Sequence, residues 1–112
     1  MGKKTVLLIG ARGFMGSKVA DAVIAKQKYN VKAMVRRGGG SATDAMQEKG
    51  VVIVEGDMMK PDTLLKACTG VDVVINTANG YSTGHPEIDI EGAQNVVDAC
   101  KEAGVKRYIY CR

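Results

Sequence analysis

Gly10-Ala11-Arg12-Gly13-Phe14-Met15-Gly16 is the stretch on which the reading of this chain turns. Before it stands the short run Thr5-Val6-Leu7-Leu8-Ile9, and after it Met15, Val19 and Val23 recur at every fourth residue. Continuous apolarity, rather than alternation, predicts a strand buried on both faces, as in a parallel sheet. The four-residue spacing predicts one face of a helix over residues 14–27. Between them lies a G-x-x-G-x-x-G turn from strand to helix, and that context makes a glycine motif informative. Gly10 permits the tight turn, Gly13 lets backbone N–H groups approach a pyrophosphate, and Gly16 lets the helix lie close on the strand. The helix N-terminus adds partial positive charge for the phosphates. Three glycines weaken a helix start unless something needs the room. The alternative is a tight turn with no ligand.

The alternation continues outward. Residues 31–36 read as a second strand, and Gly38-Gly39-Gly40 as a flexible break. Ser41-Ala42-Thr43-Asp44 reads as a capping box opening a short helix that Gly50 stops. Residues 51–55 form a third strand. Pro61 fits the first turn of the next helix, where its missing N–H does no harm. Leu64, Leu65 and Cys68 are that helix's apolar face, and Gly70 ends it. Residues 72–76 form the fourth strand, followed by a polar loop over 77–85. Pro86 and Glu87 start a long helix whose buried stripe is Ala93, Val96, Val97 and Cys100, with Gly104 at its end. Residues 106–111 form the fifth strand. This βαβαβαβαβ order predicts an α/β fold: a Rossmann-like, doubly wound parallel sheet of strand order 3-2-1-4-5, with helices on both faces. The topological switch point falls between strands one and four, and ligands of such sheets bind there, outside the carboxyl ends of the strands.

The end of the second strand discriminates between dinucleotides. An NAD site places Asp or Glu about twenty residues beyond the loop, to hold the ribose 2′-OH. Here that position is Arg36, followed by Arg37, and no acid occurs before Asp44. Two guanidiniums bind a 2′-phosphate that a carboxylate would repel. Arg12, inside the loop, points the same way, so the expected cofactor is NADP(H). The alternative is a solvated pair of arginines with relaxed specificity. Asp57 follows the third strand, where a carboxylate can accept from an adenine amino group while Met58 packs on the ring; a turn or cap residue is the alternative. Asn76-Thr77-Ala78-Asn79 follows the fourth strand at the switch point, and its small residues allow close approach of the cofactor's middle. An ordinary Asn turn is the alternative there.

The chain has 112 residues, 46% hydrophobic and 25% charged, enough for one core and therefore for one nucleotide-binding domain over residues 1–112. No apolar run approaches the roughly 18–20 residues of a membrane span. Met1-Gly2-Lys3-Lys4 runs straight into the first strand, so no signal peptide is expected, and Val6 does not match the myristoylation pattern that Gly2 would open. Cys68, Cys100 and Cys111 are an odd count without C-x-x-C spacing; they read as buried free thiols in a reducing compartment, the cytoplasm or an organelle. His85 alone cannot build a zinc site. The net charge of +4 suits an anionic partner. The basic residues form no long run and aromatics are scarce, so a phosphorylated small molecule is expected rather than nucleic acid.

The loop from Gly10 to Gly16, Val35-Arg36-Arg37, Glu55-Gly56-Asp57 and Val74-Ile75-Asn76-Thr77-Ala78-Asn79 together resemble the NmrA-like, atypical short-chain dehydrogenase/reductase family. So do Pro86-Glu87-Ile88-Asp89, Gly92, Asn95 and Ala103-Gly104-Val105-Lys106-Arg107-Tyr108. The likeness runs the length of the chain. It implies NADP(H) on a Rossmann fold, held by Gly10, Ala11, Arg12, Gly13, Phe14, Met15, Gly16, Arg36, Arg37, Asp57, Met58, Thr77, Ala78 and Asn79. It also implies either reductase chemistry on a small carbonyl, quinone or enone, or a redox sensor or accessory subunit with little turnover.

The ending departs from the family, whose members continue into a substrate-binding C-terminal region. No Tyr here is followed four residues later by Lys. Tyr108 precedes Arg112 by four, but inside a predicted strand. Tyr81 and His85 lie in the loop after strand four, near where a nicotinamide could sit, but a loop His is more often simply solvated and His85 is also placed to cap a helix, so no catalytic residue is assigned. Catalysis is expected only of a longer protein. Strand five, apolar between Arg107 and Arg112, would be an exposed sheet edge, and such edges promote association. Cover by further chain, a second copy or a partner subunit is expected there.

Overall fold

Strand β1 (Lys4–Ile9) is the centre of the sheet, and its sequence shows why. Val6, Leu7, Leu8 and Ile9 are all at most 2% exposed. Side chains alternate across a strand, so a run buried at every position needs cover on both faces. The structure is a computed structural model; it describes residues 3–11, 14–36, 41–77 and 88–111, and of residues 14, 15, 41, 42, 88 and 89 the backbone alone.

After β1 come α1 (Phe14–Ala25), β2 (Tyr29–Val35), α2 (Ser41–Glu48), β3 (Val52–Glu55), α3 (Pro61–Cys68) and β4 (Val73–Asn76). A π-helical turn at Ile88–Gly92 then leads into α4 (Ala93–Ala103), and β5 (Arg107–Tyr110) closes the sheet. The five strands are parallel in the order β3-β2-β1-β4-β5. This is the doubly wound topology that the sequence implies.

Two apolar clusters cover the two faces. On one, Leu7, Ile9, Met34 and Val74 of the sheet meet Leu64, Ala67 and Cys68 of α3 and Val96, Ala99 and Cys100 of α4. On the other, Val6, Leu8, Val31 and Ala33 meet Ala20 of α1 and Met46 of α2. Odd residues of β1 serve the first cluster and even ones the second.

Several boundaries differ from the sequence expectation. Strand β2 starts at Tyr29, two residues early, because Tyr29 and Asn30 register against Lys4 and Thr5 of β1. Helix α1 stops at Ala25, and Gln27 turns the chain with φ of +54°. Helix α2 already includes Ser41, the residue expected to cap it. The start of the long helix at Pro86 and Glu87 lies outside the described residues, and its first described turn is π-helical. Cys68 and Cys100 are buried free thiols, but Cys111 is only half-buried, since it lies just past the last strand. At the outer edge Ile109 is 38% exposed. Among the described residues no helix is long and apolar enough to cross a membrane.

Candidate cofactor site

Because every strand is parallel, all five end at one edge. Ile9 lies in register with Asn76, Val35 with Glu55, and Asn76 with Tyr110. The segments that leave this edge carry the candidate residues.

Gly10 leaves β1 with φ of +84°, a conformation that disfavours any Cβ. Gly16, in the first turn of α1, is buried against it. A Cβ on Gly16 would lie 1.8 Å from the Gly10 carbonyl oxygen and 2.7 Å from Thr77 Oγ1. Nothing larger than hydrogen fits, so the first and last glycines bring the start of α1 down onto the sheet. Ala11 is 4% exposed and packs into the cluster beneath α1 and α2. Arg12 and Gly13 lie outside the described residues, as do the side chains of Phe14 and Met15.

Thr77 follows β4 directly across from Gly10. Its N–H donates to the Ile9 carbonyl at 2.9 Å. Its hydroxyl reaches the Ile9 carbonyl at 3.0 Å and the Gly10 carbonyl at 3.2 Å. Thr77 is 6% exposed, so the side chain is turned into the protein. Ala78 and Asn79 lie outside the described residues, together with Tyr81 and His85.

Arg36 is exposed immediately after β2, at the carboxyl edge of the sheet. Arg37 lies outside the described residues. Asp57 is half-buried, and its Oδ1 accepts the Met59 N–H at 2.9 Å. Its own N–H donates to Thr63 Oγ1 at 2.9 Å, and the same hydroxyl donates to the Asp57 and Lys60 carbonyls. The turn reading of Asp57 therefore describes its protein contacts. Met58 packs inward with the cluster beneath α3 and α4, and a Cβ on Gly92 would touch its side chain at 3.2 Å. The Met58 carbonyl accepts the Asn95 side-chain amide at 2.9 Å. In this arrangement Met58 seats α4 on the β3–α3 segment.

The sequence reading passed over one polar contact at this edge. Asn76 is fully buried, and its Nδ2 donates to the Tyr108 hydroxyl at 3.2 Å. Tyr108 in turn stacks on Tyr110 with ring centroids 6.5 Å apart. Burial pushes the Tyr108 hydroxyl above its ordinary pKa, against the opposing pull of the Asn76 hydrogen bond. The signal was present: a polar residue ending an apolar strand needs a buried partner.

A model of the NmrA-like family matches residues 2–112. The chain is similar to the photosystem II assembly factor Ycf39 of Cyanophora paradoxa, 29% identical over 109 residues, covering 95% of this chain and 33% of that protein. Among solved structures it resembles isoflavone reductase, with a TM-score of 0.77 and 30% identity over 96% of this chain and 35% of that one. It also resembles AtPrR2, solved with NADP+ and (+)pinoresinol, with a TM-score of 0.78 and 27% identity over 96% and 36% of the two chains. The present chain thus spans about a third of the length of these relatives. Family match, sheet order and glycine turn agree: the chain belongs to the NmrA-like family of NAD(P)-binding, Rossmann-type oxidoreductases.

Proposed function

We propose that this chain is the NADP(H)-holding part of an NADPH-dependent oxidoreductase. The observation that carries the reading is the contact of Gly10 with Gly16, a backbone cradle with no room for a Cβ at the switch point of a parallel sheet. We assign the pyrophosphate to the stretch of Gly10, Ala11, Arg12, Gly13, Phe14, Met15 and Gly16, where the α1 N-terminus favours its charge. Arg36 and Arg37 take the 2′-phosphate. Asp57 and Met58 border the adenine end, and Thr77, Ala78 and Asn79 border the middle of the cofactor. When bound, the nicotinamide supplies the hydride, and the acceptor is a small carbonyl, quinone or enone. The protein orients the two partners. We assign substrate selection to a region outside this domain. That region, a second copy or a partner subunit covers the β5 edge at residues 107–111. The free thiols fit a reducing compartment.

A second reading is a nucleotide-binding module without turnover, favoured by the similarity to an assembly factor. NADPH consumption with a panel of quinones and enones separates the two. The cofactor choice is tested by replacing Arg36 and Arg37 together with Ala. NADPH affinity should fall by about tenfold or more, since each guanidinium–phosphate contact is a charge-assisted hydrogen bond. NADH affinity should hardly change, and equal loss for both would remove the 2′-phosphate assignment.

A further inference from the structure

Thr77, at the switch point between β1 and β4, has its side chain turned into the protein. Its hydroxyl lies between two carbonyl oxygens of the β1 end, at 3.0 Å from Ile9 and 3.2 Å from Gly10. The Ile9 oxygen is already held by the Thr77 N–H at 2.9 Å. The hydroxyl proton is shared between the two carbonyls, a second donor for Ile9 and a side-chain donor for Gly10. The same Gly10 oxygen faces Gly16 so closely that an added Cβ would stand 1.8 Å away. The Gly10 carbonyl is thus directed inward, between β4 and α1.

We infer that Thr77 is a positioning residue, whose buried hydroxyl fixes the Gly10–Ala11 peptide so that the Ala11 N–H is presented to an anion. A trans peptide sets its C=O and N–H on opposite sides. With the Gly10 oxygen held against Thr77 and Gly16, the Ala11 N–H points away from both. Among the described residues no backbone carbonyl accepts it. Without the hydroxyl the Gly10 carbonyl loses its side-chain donor. The peptide can then rotate, because glycine tolerates both signs of φ. The Thr77 hydroxyl acts on the pyrophosphate through Gly10 and is not itself a contact to the dinucleotide.

The inference rests on the dinucleotide reading above, and the test separates the two. Thr77→Val replaces the hydroxyl by a methyl of similar size, Thr77→Ser keeps it, and Thr77→Ala removes it without adding bulk if the Val variant does not fold. In the ligand-free chain, the 15N–1H resonance of Ala11 should move in the Val or Ala variant and stay in place in the Ser variant. In titrations, the Val or Ala variant should bind NADPH about tenfold more weakly, the effect of one misplaced hydrogen bond. It should bind adenosine 2′-monophosphate, which lacks the pyrophosphate, as the parent does. Thr77→Ser should match the parent with both probes. An unmoved Ala11 resonance, equal loss of both probes, or failure of Ser to restore NADPH binding would each overturn the positioning role. A parent chain that binds neither probe would overturn the dinucleotide reading, while the Ala11 resonance still decides the clamp.

Discussion

At Gly16 a single hydrogen atom separates a packed turn from a broken one. The groups that a methyl would meet, the Gly10 carbonyl and the buried Thr77 hydroxyl, are both anchored: one is backbone, and the other is hydrogen-bonded to backbone. Neither can give way as the end of a flexible side chain would. Gly16→Ala is expected to destabilise the chain by about 1–3 kcal/mol, the usual range for overpacking a tight site. It should also weaken NADPH binding, because the start of α1 must lift off β1. Urea unfolding followed by circular dichroism would show a lower midpoint with an unchanged slope. A midpoint equal to the parent's would mean that α1 shifts freely and that the cradle is not rigid. The three-glycine spacing announced this close approach. The Thr77 clamp beneath it was not legible, because a threonine after a strand has no pattern of its own.

The elements were legible wherever burial is continuous and obscure wherever pairing alone makes the strand. Val6 to Ile9 reads as a central strand because apolar residues occupy both faces. Tyr29-Asn30 carries no such signal, and it joins β2 only through its register with Lys4 and Thr5. The π-helical turn before α4 was equally invisible, and the apolar stripe itself shifted: Val96 and Cys100 are buried as expected, Ala99 is buried with them, and the expected Ala93 and Val97 are only half-buried. At the carboxyl edge Asp57 showed both of its readings in the sequence, and only the structure reveals the hydrogen bond to the Met59 N–H. Beside the apolar packing of α3 and Met58 on α4, a side-chain hydrogen bond ties α4 to the β3–α3 segment, Asn95 Nδ2 to the Met58 carbonyl at 2.9 Å. Asn95→Ala is therefore expected to cost about 1 kcal/mol, the net worth of a typical hydrogen bond. Amide exchange should quicken in residues 57–60 and stay unchanged in β1 and β2, because the loss is local. Uniform acceleration across the sheet would show instead that Asn95 supports the whole fold.

For the whole molecule, the response to alkali follows from the Cys100 thiol of α4 and the Tyr108 hydroxyl of β5, which packs against the same apolar cluster. Contact with Cys68, together with burial, pushes the Cys100 thiol above its ordinary range, while the same contact draws the Cys68 thiol down against its burial, so that in alkali the folded pair releases one proton where the unfolded chain releases two. Burial raises the Tyr108 hydroxyl, and the neighbouring Cys100 adds to the rise. In both cases the folded chain holds its proton to a higher pH than the unfolded chain, whose thiol and phenol titrate near about 8.5 and 10. Above those values the unfolded state binds fewer protons, so stability falls as pH rises; below them the contribution is complete. The urea midpoint should therefore show no loss from these two groups between pH 7 and about 8, decline above that, and steepen beyond about pH 10. Tyr108→Phe should start lower at neutral pH, because the buried Asn76 amide loses an acceptor at a cost of about 1 kcal/mol. Its midpoint should then lack the steepening beyond pH 10, whereas Cys100→Ala should delay the onset of the decline. If Tyr108→Phe kept the parent's slope beyond pH 10, the Tyr108 hydroxyl would be titrating as freely in the folded chain as in the unfolded one. The packing of β5 against α4 would then be looser than its stacked tyrosines imply.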